Sequence, residues 1–356
     1  FFNHLVDITE PICQKIDPTL ASTIAYDTSG IEAFVTENNP KFINSIIKKL
    51  KAFYKNNPDV DVYKMAYGLM PSCASANEEI KQLYINGYFC YVYKFGIITN
   101  GLGIPRNITF LDNDFKQKHP EMQIDKKSDS PDEDKSISDS KSLKPVLTDF
   151  FNLHPDFKPH TFLGDSIFDT YATYPLLLGD FKFKRALIPL NSRNSNPDIP
   201  EIKYDVNGWP LCFKDPSVTM KPFGWTREAG RSDRFKWRCP LVKRINGKWI
   251  TSCENPCNGK PCGRITYTSP AQDQRMYPGA IRGSEEWISD YKIRVVVEKN
   301  IQYLKEPMAC GKLKTRDNQT IKADLYIAGI TQLITVILAD KIHEHKYIRS
   351  IKPLIA

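Results

Sequence analysis

The chain lacks the long apolar run that a membrane-spanning helix needs. Its longest apolar stretch, residues 325–339, contains Thr331 and Gln332 and spans 15 residues, whereas crossing a bilayer takes about 20. This stretch therefore predicts a buried helix, and we expect no membrane partner. No signal peptide is recognisable at the start of the chain.

Several catalytic signatures are also missing. The sequence has no P-loop, dinucleotide-binding fingerprint or Ser/His/Asp spacing. Its 12% aromatic residues and 25 prolines exclude long disorder, collagen and coiled coil. With 356 residues, 41% of them hydrophobic, the chain can bury the core of one large domain or two ordinary ones.

Cysteine is neither abundant nor evenly spread. Four of the nine cysteines fall within 24 residues, which favours a metal site in a reducing cytoplasm over a secreted disulfide framework. The candidate zinc ligands are Cys239, Cys253, Cys257 and Cys262. Their spacing is typical of a structural zinc site, although paired CxxC motifs are absent, and Cys212 is a fifth candidate. The alternative is a set of free thiols in a small β-rich core.

Positive charge is concentrated in one segment. The whole chain has a formal charge of +8, and residues 221–248 hold nine basic and two acidic side chains. The tryptophans interleaved with these charges are Trp225, Trp237 and Trp249. Cations beside exposed rings suit phosphate contact with base stacking or wedge insertion, so we predict nucleic-acid binding. The candidate DNA-binding residues here are Arg234, Lys236 and Arg238. The alternative is a solvated β-rich surface whose tryptophans belong to the core.

Hydrophobic periodicity predicts early strands, then β/α alternation, then closing helices. The predicted strands are residues 22–26, with a turn at 28–30, a hairpin of 88–98 and 108–111, then 161–165 and 186–190. The predicted helices are residues 41–54, 146–153, 167–178, 286–304 and 323–342. Residues 125–142 are polar and mixed in charge, which predicts a surface loop.

These elements predict an α/β domain interrupted by a β-rich, cysteine-containing insertion. We expect residues 1–190 to form the first part of the core and residues 191–285 the insertion. Residues 286–356 would supply the C-terminal helices that complete the core.

Four chemically suggestive residues share one predicted helix face. Tyr291, Arg294, Glu298 and Lys305 have offsets of 0, 3, 7 and 14, which places them within a stripe of roughly 60° at about 100° per residue. Arg294 and Glu298 could equally form an ordinary i,i+4 salt bridge. The three β-branched residues at 295–297 weaken the helix prediction.

The spacing Tyr-x2-Arg-x3-Glu-x6-Lys resembles the signature of bacterial insertion-sequence DDE transposases of the cut-and-paste type. Residues 161–171, TFLGDSIFDTY, are similar to the strand-end "GD…YD" segment of that family. Residues 24–32, IAYDTSGIE, are similar to its first-strand "D-S/T" segment. The resemblance extends over roughly residues 20–350.

This resemblance implies an RNase H-like mixed sheet flanked by helices, in which Asp27, Asp165 and Glu298 hold two Mg²⁺ or Mn²⁺ ions. It also implies that Tyr291, Arg294 and Lys305 contact DNA phosphates and that the insertion contacts the transposon ends. The implied activity is hydrolytic nicking at transposon ends and transfer of the 3′-hydroxyl into target DNA. A homodimer on double-stranded DNA, at the nucleoid of a bacterial cytoplasm, would perform it.

Other assignments stay open at the sequence level. Asp112 and Asp114 are rivals for the first aspartate, with turn residues as their other interpretation. Asp169 is interpreted as a helix N-terminal charge, and Arg193, beside Asn191, as a phosphate contact or part of a loop cap. Two rival functions remain: another RNase H-like metal nuclease, and a non-catalytic zinc DNA-binding protein derived from a transposase.

Overall fold

The computed structural model describes residues 1–57, 59–85, 88–122, 137–194, 202–230, 234–312 and 314–355. The chain forms two compact units: residues 1–158 with 295–356, and residues 159–294. The predicted insertion, residues 191–285, lies within the second unit. Most of the predicted polar loop is outside the described residues, but residues 139–142 belong to a helix.

Helices and strands are both well represented, which confirms the α/β class. In chain order the helices are α1 (Phe2–Ile16), α2 (Pro18–Ala21), α3 (Pro40–Phe53), α4 (Val62–Gly68), α5 (Asn113–Lys118), α6 (Asp139–Leu153), α7 (Glu285–Tyr291), α8 (Val295–Lys305), α9 (Asn318–Lys341) and α10 (Lys352–Ile355). The strands are β1 (Thr23–Glu32), β2 (Cys73–Ala74), β3 (Asn77–Ile85), β4 (Tyr88–Asn100), β5 (Pro105–Phe110), β6 (Thr161–Leu163), β7 (Arg185–Leu187), β8 (Lys221–Thr226), β9 (Arg234–Arg238), β10 (Val242–Ile245), β11 (Lys248–Thr251) and β12 (Ile265–Thr268).

In the first unit, β4 is the strand around which an antiparallel sheet is built. It pairs with β1 on one side, and with β3 and then β5 on the other. Its aromatic and β-branched sequence suits a buried strand. The predicted turn at residues 28–30 is wrong, because Thr28 pairs with Gly96 and Gly30 with Lys94 inside β1. Pairing with β4 therefore overrides the local preference of Thr-Ser-Gly for a turn.

Helices cover the two faces of this sheet. Residues paired across strands point to the same face, so Asp27, Ile97 and Ile108 share one face. Ile108 reaches Gly329 of α9 on that face, and α8 packs against β1 and β4. On the other face, the Tyr26 hydroxyl is hydrogen-bonded to Ser142 of α6 at 2.7 Å. Asp27 therefore lies on the α8/α9 side of the sheet.

The N-terminal helix α1, which the sequence analysis did not predict, is joined to β5 by a buried arginine. The guanidinium of Arg106 donates to Thr9 Oγ1 at 2.9 Å and to the Val6 carbonyl at 3.2 Å. These partners offset the cost of burying a charge. Helix α1 also packs against α9.

Helix α9 is long and apolar enough to cross a bilayer by length and composition, a test that core helices also pass. It buries nine residues in this unit, including Leu325, Leu333 and Val336. The prediction of a buried helix at residues 325–339 is confirmed.

The second unit contains three small β structures. Strands β6 and β7 are parallel, β8, β9 and β12 form a sheet in the order β12-β9-β8, and β10 and β11 form a hairpin. The predicted helix at residues 167–178 is wrong: a 3₁₀ turn, Ser166–Phe168, and a π-helical turn, Pro175–Asp180, stand there. Pro175 lies at the start of the π-helical turn, where its missing backbone N–H needs no partner.

Candidate functional site

Asp165 lies directly after β6, at the carboxyl end of that strand. Its Oδ1 accepts hydrogen bonds from the Ile167 N–H at 3.1 Å and the Ser166 hydroxyl at 3.0 Å, so it caps the following 3₁₀ turn. Its Oδ2 is 3.6 Å from Arg294 Nη2, and the side chain remains 47% exposed. A capped and half-exposed carboxylate is held in place while staying accessible to a ligand.

Two of the four signature residues contact this strand end. The Tyr291 hydroxyl donates to the Gly164 carbonyl at 3.4 Å, and its ring stacks on Trp287 with centroids 4.9 Å apart. Arg294 pairs with Asp165, as described above. The second unit therefore brings Tyr291, Arg294 and Asp165 together.

The signature does not lie on one continuous helix, so that prediction is wrong. Helix α7 ends at Tyr291, a 3₁₀ turn occupies Lys292–Arg294, and α8 begins at Val295. The backbone N–H of Lys292 bonds to the carbonyls of Ile288 and Asp290, and 3₁₀ geometry changes the rotation per residue.

The other two signature residues lie on α8 in the first unit, which packs against the strand of Asp27. Residues 27–29 are half-buried in a strand whose flanking residues are buried. Lys305 Nζ donates to Ser29 Oγ at 2.7 Å. Ser29 shares a strand face with Asp27, and Glu298 is seven residues, about two turns, from Lys305. The stripe of α8 that carries Glu298 therefore faces the half-buried stretch of β1.

The environment of Lys305 differs from that of a surface lysine. Burial lowers the pKa of its ammonium, which the nearby Cys90 only partly opposes. A cation that has lost much of its hydration interacts more strongly with an anion than a solvated one does. Lys305 is therefore well suited to hold a phosphate.

The rival aspartates Asp112 and Asp114 have structural partners. Asp112 caps α5 by accepting from the Phe115 N–H. Lys322 Nζ lies 2.6 Å from Asp112 and 3.1 Å from Asp114. These contacts match their interpretation as turn residues.

A carboxylate that the sequence analysis misjudged is the centre of a buried network. Asp169 is fully buried, so its interpretation as a helix N-terminal charge is wrong. Its oxygens accept from Arg275 at 2.7 and 3.1 Å and from the Tyr174 hydroxyl at 2.5 Å. It also accepts from the Asn191 N–H at 2.6 Å. No local sequence signal separates Asp169 from Asp165, because its main partner lies 106 residues away.

The loop beyond β7 also has an internal cap. The Asn191 side chain accepts a hydrogen bond from the backbone N–H of Arg193 at 3.0 Å. The Arg193 side chain itself is exposed.

Strand β9 separates core residues from cations by simple alternation. Phe235 and Trp237 are buried, whereas Arg234, Lys236 and Arg238 are half-buried on the opposite face. Each cation lies over an aromatic ring: Arg234 over Tyr267 at 4.9 Å, Lys236 over Phe223 at 5.0 Å, and Arg238 over Phe223 at 3.3 Å and Trp249 at 4.5 Å. We call these six side chains the basic face.

The three tryptophans have different environments. Trp237 is completely buried and donates to Thr268 Oγ1 at 2.6 Å, so the expectation of an exposed ring is wrong there. Trp225 is 44% exposed, and Trp249 is half-buried beneath Arg238. Arg231 and Asp233 of the same segment are outside the described residues.

The cysteines of the second unit include one close pair. Cys212 Sγ and Cys257 Sγ are 3.6 Å apart. Burial raises the pKa of Cys212, but hydrogen bonds from the N–H groups of Asp215 and Lys214 outweigh it and lower that pKa. Within the described ranges, no group of three or more His, Cys, Asp or Glu is arranged to hold a metal ion.

No protein-family model, curated protein or solved structure matches the chain.

Proposed function

We propose that this protein is the catalytic part of a DDE transposase with an RNase H-like core. One observation carries the proposal: Tyr291 and Arg294, selected by spacing alone, contact Gly164 and Asp165, which a separate motif selected. The chain order also supports it. Antiparallel β1, β4 and β5 precede α6, a parallel pair β6–β7 follows, and the later helix α8 bears the glutamate.

The proposed ligands for two Mg²⁺ or Mn²⁺ ions are Asp27, Asp165 and Glu298. An all-carboxylate donor set fits Mg²⁺, which prefers oxygen ligands and keeps several waters. Asp165 is 47% exposed, and Asp27 is half-buried with its Oδ1 accepting from the Thr28 N–H at 2.8 Å. When bound, two such ions stabilise the attacking and leaving oxygens of a phosphodiester displacement.

The chain's own cations position the DNA. Arg294 has a planar guanidinium that can exchange its contact with Asp165 for a two-point contact with a phosphate. Lys305 provides a poorly hydrated point charge beside β1. Tyr291 can exchange its hydroxyl hydrogen bond to the Gly164 carbonyl for one to a phosphate oxygen.

The basic face provides a second, larger contact with DNA. Its cations neutralise backbone phosphates, and its exposed rings, Phe223 at 42% and Tyr267 at 39%, are available to stack on bases. Nicking at two transposon ends followed by transfer of both 3′-hydroxyls requires two active sites, so we propose a homodimer on DNA. The site of action is the bacterial nucleoid, in the cytoplasm.

The direct test is nicking of supercoiled plasmid DNA in Mg²⁺ or Mn²⁺. Changing a residue that only supports a metal ligand typically reduces activity about 10- to 100-fold. Asp165→Asn and Glu298→Gln change proposed ligands themselves, so each should reduce nicking by more than that. The matched controls Asp180→Asn and Glu306→Gln, both at exposed carboxylates, should keep the parent rate.

The same assay separates the rival functions. Nicking without joining of an added 3′-hydroxyl end to target DNA would indicate a metal nuclease that lacks strand transfer. DNA binding without nicking, unchanged by Asp165→Asn, would indicate a non-catalytic DNA-binding protein and contradict the proposal.

A further inference from the structure

The β10–β11 hairpin brings two cysteines to its open end. Val242 pairs with Thr251 at the last register position of the hairpin. The next contact outward is from the Ser252 N–H to the Leu241 carbonyl at 2.9 Å. Cys239 precedes Leu241 by two residues and Cys253 follows Ser252 directly. The hairpin therefore delivers Cys239 and Cys253 from its two strands to the same end.

Two other loops bring a second pair of cysteines together. Lys214 Nζ donates to Asn255 Oδ1 at 2.8 Å and to the Pro256 carbonyl at 3.0 Å. These contacts hold Cys212 Sγ 3.6 Å from Cys257 Sγ. Two thiolates on one tetrahedral zinc ion lie about 3.8 Å apart, given Zn–S bonds of about 2.3 Å. A disulfide would instead need about 2.05 Å.

The two pairs are carried by neighbouring segments of one sheet. The Cys212 N–H donates to the Val218 carbonyl at 2.8 Å, and Lys221 of β8 pairs with Arg238, the residue before Cys239. The Cys262 thiol instead lies 3.8 Å from the Gly263 carbonyl, to which it can donate.

We propose that Cys212, Cys239, Cys253 and Cys257 bind one structural Zn²⁺ ion, and that Cys262 is not a ligand. This set replaces Cys262 of the spacing-based prediction with Cys212. The four thiols release their protons on binding, and the ion draws the hairpin pair onto the preformed Cys212–Cys257 pair. Because Trp249 and three cations belong to that hairpin, the site would fix part of the DNA-binding surface. The inference does not depend on transposase activity.

The test is the zinc content of the purified full chain and of single Cys→Ser variants, measured by elemental mass spectrometry. Wild type and Cys262→Ser should each hold one zinc ion per chain, whereas Cys212→Ser and Cys257→Ser should lose most of it. Loss of zinc in Cys262→Ser, or its retention in Cys212→Ser, would overturn the assignment.

A second measurement avoids substitutions that could prevent folding. Native wild-type protein is alkylated with iodoacetamide before and after removal of metal by a chelator, and labelled sites are located by peptide mass spectrometry. The four proposed ligands should be protected until the chelator is added, whereas Cys262 should react from the start. A zinc-free protein with a Cys212–Cys257 disulfide would contradict the proposal.

Discussion

At the residue scale, burial and partners distinguish two aspartates that the sequence presents almost identically. Asp165 and Asp169 are four residues apart in GDSIFD. The first is half-exposed beside Arg294, and the second is fully buried against Arg275 and Tyr174. A buried carboxylate keeps its charge only with such partners, so Asp169 stabilises the fold while Asp165 stays available for ligands.

The first residue-scale prediction concerns Asp169. Asp169→Asn removes the carboxylate charge opposite the buried Arg275 guanidinium and leaves it neutral partners such as Tyr171 and the Asn194 carbonyl. This change should cost about 3–5 kcal/mol of unfolding free energy. Urea unfolding followed by circular dichroism measures it. The exposed control Asp180→Asn should match the parent, and equal stability of the two variants would contradict the structural role of Asp169.

The second concerns the pH dependence that Lys305 confers. Burial lowers its pKa in the folded state, so the unfolded chain binds this proton more tightly. Stability should therefore rise relative to Lys305→Met as pH increases through the folded-state pKa, and stop rising at the unfolded value of about 10.4. Urea unfolding at about pH 8 and about pH 10 compares the two proteins. The exposed control Lys299→Met should differ from wild type by the same unfolding free energy at both pH values. The same constant difference between wild type and Lys305→Met would show that Lys305 does not confer this pH dependence.

At the element scale, local pattern predicted some elements, and others depend on long-range packing. The β4–β5 hairpin was predicted from its composition and turn residues, and the helices at 41–54 and 323–342 from their apolar period. The strand continuing through Thr28–Gly30 could not be predicted, because its stabilising partner is β4, about 65 residues further along the chain. Helix α1 was missed because Pro11 interrupts its pattern.

Buried and half-buried side chains alternate along β9, which leads to a prediction about DNA binding. The double change Lys236→Glu and Arg238→Glu alters only the outer face of the strand and leaves the buried Trp237 in place. The slope of log affinity against log salt should fall by about 2, since each phosphate contact contributes about 0.9. Fluorescence anisotropy with a duplex DNA over a range of salt measures this slope.

The control for this prediction is Lys48→Glu on α3, an exposed cation outside the basic face. It should leave the slope unchanged. An unchanged slope in the double variant would mean that the basic face does not contact DNA.

At the scale of the whole molecule, spacing identified the candidate residues but not their environments. The sequence motifs selected Asp27, Asp165 and Glu298, which lie on β1, directly after β6 and on α8. Neither the break between α7 and α8 nor the contact of Cys212 with Cys257 followed from spacing. Both depend on how segments distant in sequence pack together, which periodicity does not encode.

We propose that Asp27, Asp165 and Glu298 hold a pair of divalent ions, and anomalous diffraction from crystals soaked in Mn²⁺ would locate them. We expect two Mn²⁺ peaks about 4 Å apart, each within about 2.2 Å of carboxylate oxygens from these residues. Full Mn²⁺ occupancy elsewhere, with no peak at these three carboxylates, would contradict it.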